Sequence, residues 1–79
     1  MFFAKNEIIE LEGQKDYYVL DTAIVDSEVF YQIQEVNESG DDLIGPKSII
    51  IAINNKGNLY VEDVNDTKKL DKLSEIFAS

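Results

Sequence analysis

The chain lacks cysteine, histidine, arginine and tryptophan altogether, and the first three absences each exclude a kind of chemistry. Without cysteine there are no disulfides and no thiolate metal sites, so packing alone must hold the fold together. Without histidine or cysteine the chain has neither the usual base at neutral pH nor a thiol nucleophile. Without arginine it has no guanidinium group to clamp a phosphate or a carboxylate. We therefore predict a protein that is not an enzyme, with no catalytic residue, no metal site and no cofactor.

Long apolar segments are missing as well. Nowhere do about 18 apolar residues run together, and the opening Met-Phe-Phe-Ala-Lys resembles no secretory signal. The 79 residues, 44% of them hydrophobic, suffice for one small globular domain covering residues 1–79. We expect a cytoplasmic protein that does not bind a membrane.

Charge is the one extreme of the composition, because sixteen Asp and Glu residues against seven Lys give a net charge of −9. A surface this anionic repels nucleic acid and anionic lipid, which argues against direct binding to either. Residues 65–79 hold three acids and three lysines, so the whole net charge lies on residues 1–64. A basic protein partner is compatible with this charge.

The stretch from Ser48 to Val64 is typical of a β-hairpin. Ile49 to Ile53 contains no polar position, which favours a strand covered on both faces in the middle of a sheet. The four residues 54–57, Asn-Asn-Lys-Gly, tolerate the positive φ angles of a tight turn. Leu59 to Val64 is then predicted to return as the antiparallel partner strand.

Three earlier segments also alternate with the two-residue period of strands. Asn6 to Glu12 is predicted as a half-buried edge strand, with Gly13-Gln14 as the turn that follows. Tyr17 to Val25 carries apolar residues on both faces, and Asp26-Ser27 is the next reversal. Val29 to Gln34 alternates so regularly that one face is predicted to be wet. Together with the hairpin these segments predict a meander.

Between Asn37 and Lys47 the chain collects two glycines and its only proline, so the whole segment is predicted to be one long loop. The loop contains acids that could bind a cation weakly, although solvated loop carboxylates are the simpler interpretation. These acids are Glu38, Asp41 and Asp42.

The last segment predicts an amphipathic helix. Asn65 or Asp66 can cap its start, because each side-chain oxygen can accept a hydrogen bond from a free backbone N–H. The apolar residues fall at helical spacing and form one stripe, which consists of Leu70, Leu73, Ile76 and Phe77. The predicted fold class is α+β: an antiparallel five-stranded meander sheet with one C-terminal helix packed on one face.

A single helix covers one face only, yet several strands carry apolar residues on both. The N-terminal residues Met1, Phe2 and Phe3 could fold back over the second face, or a second copy of the chain could pack there. The second alternative is a homodimer hypothesis. The tyrosines could present an interface or pack within the sheet, and both interpretations stay open for Tyr17, Tyr18, Tyr31 and Tyr60.

The order of the segments also carries a resemblance. It runs through Tyr17–Thr22, a reversal, Phe30-Tyr31, an acidic loop, an isoleucine-rich strand and a helix ending in Leu73–Phe77. This arrangement resembles the YrzB-like family of short acidic bacterial proteins over residues 6–77. The resemblance implies a small α+β cytoplasmic protein and supplies no catalytic residue.

These observations predict a small acidic protein–protein interaction module, with the homodimer as a hypothesis, that contacts its partner through an exposed sheet face or its tyrosines. The alternative is an acidic nucleic-acid mimic, whose carboxylates stand in for phosphates in the basic site of a DNA- or RNA-binding protein.

Overall fold

The computed structural model describes residues 3–11 and 15–78. Its elements are β1 (Ile8–Leu11), β2 (Lys15–Val25), β3 (Glu28–Val36), β4 (Leu43–Asn55), β5 (Asn58–Asp63) and α1 (Thr67–Ala78). Each strand pairs antiparallel with the next one in the chain, so the sheet order is the sequence order. The predicted α+β class, the five-stranded antiparallel sheet and the C-terminal helix are confirmed. The predicted turn at Gly13-Gln14, together with Met1, Phe2 and Glu12, lies outside the described residues.

Two of the predicted hairpin turns are present. The β4–β5 turn consists of Lys56 and Gly57, both at positive φ (54° and 86°). It is shorter than the predicted 54–57 because Asn55 and Asn58 already pair with each other. The Gly57 N–H donates to the Asn54 side-chain oxygen at 3.1 Å, which closes the turn. Between β2 and β3 the reversal uses two residues at positive φ, Asp26 and Ser27, as predicted.

The sheet curls into a half-barrel, a shape that the predicted meander did not include. β2 carries one extra residue, Leu20, between the pairs that Val19 and Asp21 form with β3. In β4, residues 45–47 lie opposite the single β3 residue Gln34. Such bulges bend a strand and increase its twist, so they account for the curl.

The concave face of the half-barrel holds the main core. This core consists of Ile9, Val19, Tyr31, Ile33, Ile50 and Ala52. Phe3 folds back onto it, with its ring 5.1 Å from that of Tyr31 and its N–H donating to the Tyr31 hydroxyl oxygen at 3.0 Å. The predicted return of the N-terminal segment is therefore confirmed for Phe3. Because the curl and Phe3 cover this face, its apolar residues no longer require a second copy of the chain.

The convex face is covered at one end by α1. Phe30 alternates with Tyr31 and so points to the convex face, where it lines one small cleft with Leu73. Both side chains are 2% exposed, so the prediction that this face of β3 is wet is wrong at Phe30.

The Asp66 carboxylate accepts from the N–H groups of Lys68 and Lys69 (2.9 and 3.3 Å), which identifies Asp66 as the cap. The described residues contain no helix with the length and hydrophobicity of a membrane-spanning segment.

The predicted loop from Asn37 to Lys47 is wrong in its second half. It ends at Asp42, because Leu43 and Ile44 already pair with the end of β3. Pro46 is tolerated within β4 because β5 pairs only with the strand from Ile50 onward, so this part of β4 is a sheet edge.

Candidate functional site

An open groove lies on the convex face at the end that α1 does not cover. Its volume is about 370 Å³, and its floor consists of Ile8, Tyr18, Val36 and Leu43. Ile8 pairs with Tyr18 and Val36 pairs with Leu43, so pairing between neighbouring strands brings these apolar side chains onto one face. The wall of the groove is formed by residues 40–42 of the β3–β4 loop.

The floor is apolar but only partly covered. Val36 is 7% exposed, whereas Leu43 is 38% and Ile8 is 52% exposed. Tyr18 is held in place because its hydroxyl donates to the Asn6 side-chain oxygen at 2.6 Å. Asn6 is itself fixed by the bond from its N–H to the Val19 carbonyl oxygen at 2.8 Å. The groove therefore offers apolar side chains to a partner on a floor that is already ordered.

The β3–β4 loop that carries this wall, residues 37–42, is tied together by Asn37. The Asn37 side-chain oxygen accepts from the N–H groups of Asp41 and Asp42 at 3.1 and 3.3 Å. The Asn37 backbone N–H donates to the Asp42 carbonyl oxygen at 2.9 Å. Gly40 supplies the left-handed turn within the loop, at φ 77°. These bonds close the loop on itself, so its shape does not depend on a ligand.

Asp41 is the most strongly fixed carboxylate of the loop. It accepts from the side-chain amide of Asn37 and from the hydroxyl of Ser39, both at 2.9 Å. These two hydrogen bonds favour the ionised form, so the pKa of Asp41 lies below its ordinary value of 3.8. The wall is therefore anionic at neutral pH.

The cation alternative for this loop gains no support. In the part of the chain that the structure describes, no group of three or more carboxylates is placed to hold a metal ion. One oxygen of the Asp41 carboxylate, Oδ1, instead accepts hydrogen bonds from Asn37 and Ser39.

Charge divides the molecule more sharply than the sequence interpretation proposed. Residues 1–47, which include the whole groove, hold eleven acids and three lysines, a net charge of −8. Residues 48–79 hold five acids and four lysines, a net charge of −1. The apolar floor therefore belongs to the acidic part of the chain.

The four tyrosines take different roles. Tyr31 is fully buried in the concave core and Tyr17 packs against it, as the packing interpretation predicts. Tyr18 lines the groove, and Tyr60 is 51% exposed on β5, where both can present a surface. The packing interpretation is therefore confirmed for Tyr17 and Tyr31, and the interface interpretation stays a prediction for Tyr18 and Tyr60.

Sequence reasoning missed the aliphatic residues of the groove. Ile8 lies on the outward side of the alternation in β1, opposite to Ile9, which is an unusual position for an isoleucine in an edge strand. Leu43 lies within the segment that is predicted to be a loop. The signal was present in both cases, namely an aliphatic residue at a position where the pattern called for a polar one.

Comparison with known protein families, with curated proteins and with solved structures found no match. The resemblance to the YrzB-like family stays a prediction.

Proposed function

We propose that this chain is a cytoplasmic, non-enzymatic protein-interaction module, and that its groove binds a cationic segment of a partner protein. The observation that carries the proposal is the combination of an exposed apolar floor with an anionic wall. An aliphatic side chain of the partner would lie on the floor, between Ile8 and Leu43. Lysine or arginine side chains beside it would face Asp41 and Asp42.

The two parts of the groove contribute differently to such a complex. Burying an aliphatic side chain on the floor contributes about 1.5–3 kcal/mol. The carboxylates contribute mainly to association rate and orientation, because their charges attract a cationic segment before contact. The wall is already closed by Asn37, so little conformational entropy is lost on binding.

The nucleic-acid mimic remains the alternative. It rests on the acidic surface alone, since carboxylates that imitate phosphates need no apolar floor beside them. The presence of Ile8, Tyr18, Val36 and Leu43 in the groove favours the module.

An NMR titration tests the proposal on the full chain labelled with ¹⁵N. The ligand is a short synthetic peptide of lysines around a central leucine, compared with the same peptide carrying serine in place of leucine. We expect the leucine peptide to shift the amide signals of Ile8, Tyr18 and Leu43 and to bind more tightly than the serine peptide. Equal binding of the two peptides would favour the mimic, and shifts confined to other strands would contradict the groove.

A matched pair of variants completes the test. Leu43→Ser removes an exposed aliphatic side chain within the groove, and Ile24→Ser removes one on β2 that is 75% exposed outside it. Only Leu43→Ser should weaken binding of the leucine peptide, by roughly tenfold for the loss of about 1.4 kcal/mol. Equal weakening by both variants would show that the peptide binds apolar surface without preference for the groove.

A further inference from the structure

We propose a second interaction surface, the outer edge of β5, and a second copy of this chain as its partner. β5 is the last strand in the sheet order, so no described strand pairs with its outer edge. The proposal is independent of the groove, which no residue of β5 lines. It gives the homodimer hypothesis a new basis, because the concave face no longer supplies one.

The hairpin geometry determines which backbone groups are available on this edge. Because the turn has two residues, Asn55 and Asn58 form a hydrogen-bonded pair, and every second residue of β5 then bonds to β4. The hydrogen bond from the Val64 N–H to the Ile49 carbonyl oxygen at 3.1 Å follows the same alternation, six residues after Asn58. The backbone N–H and C=O groups of the alternate residues are therefore directed away from β4. These residues are Leu59, Val61 and Asp63.

Apart from its two acids, Glu62 and Asp63, this edge lacks the features that normally prevent pairing between sheets. β5 contains no proline, glycine, lysine or bulge, and its residues Leu59 and Tyr60 are 44% and 51% exposed. The other free edges differ. The first half of β4 contains Gly45, Pro46 and Lys47, and β1 is only four residues long.

Charge identifies the partner as a second copy rather than a cationic strand. The edge belongs to residues 48–79, whose net charge is only −1, whereas residues 1–47 carry −8. Pairing two copies through β5 brings their nearly neutral halves together and leaves the acidic halves at the far ends. A cationic strand would find more favourable charge elsewhere on the molecule.

The sequence of β5 is also self-complementary in one register. A two-fold axis at Val61 places this residue opposite its own copy, Leu59 opposite Asp63 and Tyr60 opposite Glu62, so no acid opposes an acid. Moving the axis to Glu62 would oppose two glutamates. The favoured register forms about six backbone hydrogen bonds and makes one sheet continuous across both copies.

Sedimentation equilibrium of the full chain tests the proposal from micromolar to millimolar concentration. We expect the average mass to rise from 9.0 kDa towards twice that value as concentration increases. Association should also be stronger at physiological than at low salt, since screening reduces the residual repulsion between the two chains. A mass of 9.0 kDa at all concentrations and both salt levels would overturn the proposal.

Charge variants identify the register. Tyr60→Glu opposes Glu62 of the second copy twice by symmetry, so the association constant should fall by roughly two- to thirtyfold. Combining Tyr60→Glu with Glu62→Lys should restore association, because the opposed charges then have opposite signs. Ile24→Glu adds the same charge on β2 and should change association little.

Hydrogen exchange locates the interface independently of any variant. The amides of Leu59, Val61 and Asp63 should exchange more slowly as the chain concentration rises, whereas that of Ile8 should not change.

Leu59→Pro removes one outward donor at an edge position that tolerates proline, and it should abolish association while circular dichroism shows an intact fold. Dimers that persist in this variant, or protection confined to other strands, would refute the β5 interface.

Discussion

The two ends of the convex face differ in what covers them. At one end α1 covers Phe30, and both Phe30 and Leu73 are only 2% exposed. The Lys69 Nζ of the helix lies 3.4 Å from the Glu28 Oε1. At the other end Ile8 and Leu43 stay exposed beside an anionic loop. Both ends are apolar, so apolar composition does not distinguish a core from a binding surface. The presence of a covering element distinguishes them, which means that stability and recognition can be changed separately.

The largest expected effect is on the covered end. Leu73→Ala leaves a cavity beneath the helix and should lower the free energy of unfolding by about 2–5 kcal/mol. Leu43→Ala at the open end should cost less than about 1 kcal/mol, since its side chain is already partly hydrated. Urea unfolding followed by circular dichroism measures both. Similar losses in the two variants would show that the groove is part of the core.

The helix cap gives the next effect. Asp66→Ala removes the acceptor for the N–H groups of Lys68 and Lys69 and should lower the free energy of unfolding by about 0.5–2 kcal/mol. Asp66→Asn keeps the acceptor and should retain most of that stability. The same urea experiment compares the two variants. A loss as large in Asp66→Asn as in Asp66→Ala would point to charge rather than capping.

The open end should respond to acid through Asp41. Its pKa is lowered in the folded chain, so the hydrogen-bonded carboxylate stabilises the fold at pH values above 3.8, the ordinary pKa of the group. This contribution is lost as the pH falls below 3.8 and through the lowered pKa. NMR titration of the Asp41 side chain measures the shift, and Asn37→Ala should move the pKa back towards 3.8. An unchanged titration in that variant would contradict the assigned cause.

The smallest effect concerns the ion pairs that join α1 to the β2–β3 turn. Lys69→Gln removes the contact with Glu28. Both side chains of this pair are about half exposed, so the free energy of unfolding should change by less than about 1 kcal/mol. Added salt should reduce the difference between the variant and the parent chain further. A larger, salt-independent loss would mean that the lysine stem contributes through packing on the sheet.

The order of elements could be predicted because its signals are local. Isoleucines at 49–53, positive-φ turn residues at 56–57 and the cap at Asp66 each depend on neighbours a few positions away. The wrong predictions concern positions whose burial or secondary structure depends on residues far away in the sequence. Phe30 is buried by a helix some forty positions later, and Leu43 becomes a strand residue because the end of β3 offers it a partner.

The candidate site was less predictable than the fold for the same reason. The sequence shows Glu38, Asp41 and Asp42 as an acidic loop, but no pattern relates them to Ile8, which lies about thirty residues earlier. Curling of the sheet brings β1 and the β3–β4 loop to one end of the same face.

The amino-acid sequence by itself determined the strand periodicity, the places of the two confirmed turns, the helix and the division of charge between the two halves of the chain. Each of these depends on residue type and short spacing. The tertiary structure alone decided which apolar residues were covered, since burial depends on the curl introduced by the bulges and on where α1 lies. It also decided which edge of the sheet was left without a neighbour.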